Sequence, residues 1–184
     1  MKHVIHIFGG AGSGTTTLGR KIADELGYKH MDTDDYYWLP IDPRFTSKRP
    51  VEERIKLMIE DIENHDNVVI SGALANWGDE LIPYFNLAIR IHATTDVRIE
   101  RIKMREKERF GPRIQPGGDM YEKHIDFLEW AKLYETGGVD VRSKAKHDEW
   151  QKMLRCPILN LDGAEALEEK FEKVKTFLMK GANK

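Results

Sequence analysis

The sequence predicts an α/β protein in which helices cover both faces of a parallel β-sheet. Five short apolar segments alternate with longer segments in which apolar residues recur at helical spacing. Strands that alternate with helices pair in parallel, because each helix carries the chain back to the starting edge of the sheet. The first apolar segment also runs directly into a glycine-rich turn that begins a helix. The predicted strands are residues 3–8, 28–31, 68–70, 87–91 and 157–161.

The turn after the first strand has the composition of a phosphate-binding loop. Its glycines let the backbone curl so that successive N–H groups point inward, and the new helix adds its free N–H groups and positive dipole end. An ordinary strand–helix turn is the alternative, but strand, glycine-rich turn and helix is the context that a phosphate-binding loop requires. The residues predicted to bind phosphate are Gly9, Gly10, Ala11, Gly12, Ser13, Gly14, Thr15, Thr16 and Thr17.

This loop fits the pattern G-x-x-x-x-G-K-[ST] at every defined position but one. Gly9 and Gly14 match the two glycines, and Thr16 matches the hydroxyl residue that ligates Mg²⁺. Thr15 occupies the position of the lysine that normally reaches the β- and γ-phosphates. The run 12–17 resembles the loop of the archaeal type of cytidylate kinase, which also has threonine at this position. That resemblance implies that kinase activity is compatible with Thr15.

Composition and charge restrict the class of protein. The chain has 184 residues, which is enough for a substantial core, and we expect a single domain over residues 1–184. A net charge of −2 argues against a general nucleic-acid or membrane-surface binder. The single cysteine cannot form an internal disulfide, which favours a reducing cytoplasm. No apolar run has the length of a signal peptide core or a membrane span.

A pair of carboxylates follows the second strand. Asp32 and Asp34 are two residues apart on a segment predicted to be extended, where such side chains point the same way. They lie at the carboxyl end of a strand, where open α/β sheets bind ligands. We expect Asp32 to hold Mg²⁺ with Thr16 and Asp34 to orient the acceptor. An acidic turn that caps the strand is the alternative. Residues 39–49 predict a loop, and Pro50 is suited to the first turn of the next helix.

The third strand runs into a segment of small and polar residues. Gly72 would let a ligand or the phosphate loop come close to the backbone. The residues predicted to bind the acceptor are Asp34, Gly72, Asn76, Trp77 and Asp79. For Trp77, packing beneath the loop is an equal alternative.

The helix after the fourth strand carries arginines at a spacing that places them on one face. This row consists of Arg98, Arg101, Arg105 and Arg109. The helix leads into a segment rich in glycine and proline, which predicts a lid near residues 109–120. A solvated basic stripe is the alternative to a phosphate clamp. The residues expected to contact the donor phosphates are Arg101, Arg105 and Arg113.

The rest of the chain completes the alternation of helices and strands. Helices are predicted at 119–135 and 143–154, on either side of a Gly-Gly break. The final helix is predicted from an apolar face formed by Leu167, Phe171, Val174 and Leu178.

Taken together, these features resemble the nucleoside monophosphate kinase-like branch of the P-loop proteins over most of the chain. The resemblance rests on the glycine-rich loop, Asp32-x-Asp34, Ser71-Gly72 and Arg101-x-x-x-Arg105. It implies a three-layer P-loop NTPase sandwich with a five-stranded sheet in the order 2-3-1-4-5 and a closing lid. The threonine-bearing loop is more similar to cytidylate kinases, whereas Asp-x-Asp is more similar to shikimate and gluconate kinases.

These observations predict an ATP- and Mg²⁺-dependent kinase of the adenylate or cytidylate kinase type. The N–H groups of residues 10–16 would hold the donor phosphates, and the acceptor would be a nucleotide or nucleoside before a hydroxylated metabolite. A nucleotide-binding regulator with little or no turnover is the main alternative, because Thr15 offers no charge. A hydrolase comes third, since no residue is distinctive for positioning an attacking water. Neither nucleic acid nor a membrane is an expected partner.

Overall fold

A computed structural model describes residues 2–181 of the chain. Its five parallel strands form one sheet in the order β2-β3-β1-β4-β5, which confirms the predicted fold class and strand order. The ends of the predicted domain, Met1 and residues 182–184, lie outside the described residues. The strands are β1 (His3–Gly9), β2 (Lys29–Asp32), β3 (Asn67–Ser71), β4 (Leu87–His92) and β5 (Ile158–Asp162).

Seven α-helices and three short 3₁₀ segments connect the strands within residues 2–181. None of these helices combines the length and apolar character that a membrane span requires. Only α2 lies where the sequence analysis placed no helix. The helices are α1 (Thr15–Leu26), α2 (Thr33–Tyr37), α3 (Val51–Asn64), α4 (Thr95–Phe110), α5 (Tyr121–Lys132), α6 (Lys144–Trp150) and α7 (Leu167–Gly181).

The core lies on both faces of the sheet, because β1 and its neighbours β3 and β4 are buried at nearly every position. Alternate residues of β1 point to opposite faces. Ile5 and Ile7 pack with the apolar stripes of α1 and α7, whereas Val4 and Phe8 pack with that of α3. Parallel pairing brings the carboxyl ends of all five strands to one edge, where the loops after β1, β2 and β3 converge.

The loop between α2 and α3 contacts the segment that follows α4. We call residues 39–49 of this loop the strap. Phe45 of the strap packs in a small apolar cluster with Phe110, Ile114 and Met120. Arg113 donates hydrogen bonds to Asp42 of the strap at 2.8 Å and to Asp119 at 2.6 Å. The strap and residues 110–120 are therefore joined by apolar and ionic contacts, while a lid role for 109–120 stays a prediction.

Candidate active site

The glycine-rich loop has the geometry of an anion cradle. Gly12 and Gly14 have φ values of +81° and +101°, which favour glycine, and the N–H of Ser13 donates to the carbonyl of Gly10 at 3.0 Å. Helix α1 begins at the end of the loop with no side-chain cap, so its positive end is open to a ligand. Within this loop, the N–H groups that donate to no acceptor among residues 2–181 include those of Ala11, Gly12, Gly14, Thr15, Thr16 and Thr17.

A buried layer of polar side chains supports this loop from below. Arg98 is fully buried and donates to the carbonyls of Ala11 at 3.3 Å and Ala131 at 3.1 Å. Its guanidinium lies 4.8 Å from the ring centroid of Tyr134, whose hydroxyl pairs with Nδ1 of His147 at 2.8 Å. Burial lowers the pKa of His147 to about 2, so this imidazole is neutral at ordinary pH. Arg98 is therefore part of the loop's support rather than a solvated side chain.

Thr16 and Asp32 form a pair of oxygen ligands beside the loop. The hydroxyl Oγ1 of Thr16 donates to Oδ2 of Asp32 at 3.0 Å. Mg²⁺ prefers hard oxygen ligands of this kind, usually one or two from the protein with phosphate and water completing the shell. These two residues fit a Mg²⁺ ion, which would supply Lewis-acid stabilisation of phosphate charge when bound.

The predicted extended geometry of the two aspartates is wrong. Strand β2 ends at Asp32, whose Oδ1 accepts from the N–H of Asp34 at 3.1 Å and caps α2. Asp34 therefore lies in the first helical turn, within a cleft that leaves it in contact with solvent. Desolvation within the cleft and then the charge of Asp32 raise the pKa of Asp34, against the opposing effect of nearby arginines, chiefly Arg142.

Two cavities meet at Asp34. One, of about 430 Å³, opens onto the glycine-rich loop and is bordered by Thr15, Thr16 and Asp32. The other, of about 480 Å³, lies between α2, α3 and the loop after β3. We call them the loop cavity and the acceptor cavity. The residues that line both are Thr33, Asp34, Trp38, Trp130 and Arg142.

The acceptor cavity is aromatic and basic. Arg54 is buried, lies 3.9 Å from the ring centroid of Tyr37 and donates to the carbonyl of Arg49 at 2.6 Å. Asp34 is the one carboxylate among the described residues that line the cavity. An anionic ligand with a flat ring suits these walls, because guanidinium groups pair with anions and aromatic rings stack on planar groups. Its basic residues are Lys48, Arg54, Arg142 and Lys146, and its large aromatic residues are Tyr37, Trp38, Trp77 and Trp130.

The residues predicted to bind the acceptor are distributed unevenly. Asn76 and Trp77 line the acceptor cavity. Gly72 lines the loop cavity with a φ of +118°, and a Cβ there would overlap the hydroxyl of Thr33. Asp79 borders neither cavity and accepts a hydrogen bond from Trp150 Nε1 at 2.8 Å.

The three arginines predicted to contact donor phosphates also occupy different places. Arg105 lines the loop cavity. Arg101 lines neither cavity and donates to the carbonyls of Ser13 at 3.4 Å and Gly163 at 3.0 Å, on the outer side of the loop. Arg113 lines neither cavity and joins the strap to Asp119. Their roles in transfer stay predictions.

Sequence reasoning missed Arg54 and Arg142. Arg142 precedes α6, far along the chain from the loop, and its Nη2 donates to the carbonyl of Gly9 at 3.1 Å. A single arginine in an irregular segment carries no periodicity or motif. Only the fold brings it to the loop.

Comparison with known proteins agrees with this geometry. The family model described as AAA domain matches residues 5–125, which include the glycine-rich loop, both aspartates and the arginine row. The chain belongs to this P-loop family. Uncharacterized protein YqaC of Bacillus subtilis is 41% identical to this AAA domain protein over 178 residues, covering 97% of this chain and 98% of YqaC. Cytidylate kinase of Pyrococcus horikoshii is 33% identical over 115 residues, covering 57% of this chain and 58% of that enzyme.

Solved kinase structures share the fold of this AAA domain protein. Shikimate kinase from Bacteroides thetaiotaomicron gives a TM-score of 0.58 at 20% identity, covering 96% of this chain and 98% of that one. A gluconokinase from Sinorhizobium meliloti gives a TM-score of 0.55 at 18% identity, covering 98% of this chain and 94% of that one. The resemblance to the P-loop kinase-like family is therefore confirmed, and the protein has a kinase-like P-loop fold related to cytidylate, shikimate and gluconate kinases.

Proposed function

We propose that this protein transfers a phosphoryl group from ATP, with Mg²⁺, to a small nucleotide or nucleoside acceptor. The observation that carries the proposal is the meeting of two cavities at Asp34, one bordered by the phosphate-binding loop and one by basic and aromatic side chains. Phosphoryl transfer requires donor and acceptor to be held in line, and most of its catalysis is positioning and electrostatic stabilisation.

Each group has a proposed role in this reaction. The free N–H groups of the loop hold the donor phosphates, and Thr16 and Asp32 hold Mg²⁺. Asp34 orients the acceptor and, for a hydroxyl acceptor, receives its proton, a role that its raised pKa favours. Arg105 neutralises charge on the transferred group from the side of α4. Arg101 and Arg113, the other arginines predicted to do so, would need to move to reach it.

A nucleotide acceptor is favoured over a hydroxylated metabolite by the walls of the acceptor cavity. Aromatic side chains provide surfaces for a base, and the excess of basic residues suits a phosphate. The similarity to cytidylate kinase points the same way.

A coupled assay of ADP release tests this function. The full chain is given ATP and Mg²⁺ with nucleoside monophosphates, nucleosides or hydroxylated acids, and without an acceptor. We expect turnover to depend on a nucleotide or nucleoside and to fall strongly in Asp34→Asn. Equal turnover without an acceptor would indicate a hydrolase, and turnover restricted to hydroxylated acids would indicate a metabolite kinase.

A nucleotide-binding regulator is the second candidate, favoured by Thr15. A loop without lysine still offers its backbone N–H groups to phosphate, so binding persists even where transfer is slow. Stoichiometric ATP binding by calorimetry, without turnover for any acceptor of the panel, would select this candidate.

A further inference from the structure

The loop lacks its own cation at the position of the phosphates. Thr15 lines the loop cavity with a neutral side chain, so residues outside the loop must neutralise the negative charge of the donor phosphates. Three arginines line the same cavity, Arg105, Arg109 and Arg142. They differ in the partners that already hold them.

Arg142 is held against the loop itself. Its Nη2 donates to the carbonyl of Gly9, the first glycine of the phosphate-loop pattern, at 3.1 Å. Its guanidinium carbon lies 5.8 Å from the ring centroid of Trp130. Within residues 2–181 the guanidinium forms no salt bridge with a carboxylate, and the buried Nε has no hydrogen-bond partner. The guanidinium thus keeps several N–H donors without an acceptor beside the loop, while its charge also acts on Asp34.

The other arginines near the loop face different partners. Arg105 and Arg109 lie near the buried carboxylate of Glu106, at 3.9 Å and 3.8 Å, and the buried Nε of Arg105 also has no hydrogen-bond partner. Arg101 donates to two backbone carbonyls on the outer side of the loop, and Arg98 lies beneath it. Arg142 alone among these five lines both cavities, so it lies where a donor and an acceptor would meet.

We propose that Arg142 replaces the missing lysine of the phosphate-binding loop and contacts the transferred phosphoryl group. This inference rests on the proposed function. In the reaction, a bond forms between the acceptor oxygen and the γ-phosphorus while the bond to the β,γ-bridging oxygen breaks, and that electron pair leaves with ADP. A hydroxyl acceptor gives its proton to Asp34. Arg142 forms no bond and moves no proton; its guanidinium stabilises charge on the oxygens of the group in transit.

The test compares Arg142→Ala, Arg142→Lys and a surface control, Arg155→Ala, whose side chain is exposed. Circular dichroism melts establish that each variant folds. Arg142→Ala should lower kcat on the order of 100-fold. Arg142→Lys should keep part of the activity, and Arg155→Ala should match the parent. Adding Thr15→Lys to Arg142→Ala should restore at least about tenfold in kcat, because lysine at position 15 would return the cation to the loop.

A binding measurement separates this inference from the proposed function. A cation on the γ-phosphate favours ATP over ADP, so Arg142→Ala should lose the parent's preference for ATP, and Thr15→Lys should restore it. If the parent shows that preference and Arg142→Ala loses it, but the parent turns over no acceptor, the proposed function fails while the assignment of Arg142 stands. A higher KM for the acceptor with unchanged kcat would make Arg142 an acceptor anchor and overturn the assignment. An ATP preference that is absent in the parent or unchanged in Arg142→Ala would also overturn it.

Discussion

Gly12 offers a sharp test of how the loop packs on α4. Its φ is +81°, and a Cβ built on it would overlap the carbonyl oxygen of Arg98 and lie 3.0 Å from the carbonyl carbon. These are backbone atoms of a helix, so they cannot rotate away as a side chain would. Gly14 is a matched control, since its φ is +101° and the nearest atom to its Cβ would be Nη1 of Arg101 at 3.9 Å.

The two alanine variants should therefore differ in stability. Both pay the left-handed backbone penalty of about 1 to 2 kcal/mol. Gly12→Ala also forces the loop and α4 apart, and overpacking of this kind costs about 1 to 3 kcal/mol more. The expected loss in the free energy of unfolding is about 2 to 5 kcal/mol for Gly12→Ala and about 1 to 2 kcal/mol for Gly14→Ala.

Urea unfolding followed by tryptophan fluorescence measures both losses by linear extrapolation. ATP affinity should also fall more in Gly12→Ala, measured at a temperature at which the variant is folded, because the displaced loop no longer presents its N–H groups together. Equal losses of stability in the two variants, with unchanged m-values, would refute the close packing of Gly12 on the backbone of α4.

Three further predictions concern the aspartates and the strap. Asp32→Asn should weaken Mg²⁺-dependent transfer, measured by titrating kcat with Mg²⁺, more than it weakens ATP binding, measured by calorimetry. Equal effects on the two would contradict a metal role for Asp32. Because the folded-state pKa of Asp34 is raised above its ordinary 3.8, the folded state binds a proton more readily than the unfolded state, and stability falls as pH rises through that window. Asp34→Asn should therefore be more stable than the parent at pH 7 and similar to it below pH 3.8, as urea titrations at both pH values would show; a variant less stable at pH 7 would contradict the raised pKa. Phe45→Ala should increase ADP release without an acceptor, because water would enter the loosened site, while the exposed Ile41→Ala should leave it unchanged.

The sequence predicted those features of the protein that are formed by residues close together in the chain. Nine consecutive residues form the loop, so its motif could be recognised directly. The alternation of apolar segments with helical segments is enough to predict the sheet and the helices that cover it. The register between strands then places Asp32 beside Ser71 at the carboxyl edge, as expected from a parallel sheet. The geometry of Asp34 was predicted wrongly because a side-chain cap at Asp32 turned an apparent strand into a helix.

The rest of the site depends on tertiary structure. Arg142 contacts Gly9 across a separation of 133 residues in the sequence, and Arg54 lies against the rings of Tyr37 from α2 and Trp77 from the loop after β3. Neither arginine belongs to a periodic row. Arg101 and Arg113 do follow the pattern that predicted a phosphate clamp, yet backbone carbonyls and carboxylates already hold them.

The contact between the strap and residues 110–120 has a kinetic consequence. Trp38 precedes the strap and Lys48 lies in it, and both line the acceptor cavity, while Phe45 and its partners Phe110 and Met120 line the loop cavity. The strap and residues 110–120 could not move apart without pulling Phe45 from its apolar partners and separating Arg113 from Asp42. If residues 110–120 open as the predicted lid, the strap would move with them and both cavities would open in one event, so both products would escape at a common rate. A substitution that loosens this contact would shorten the residence time of both together.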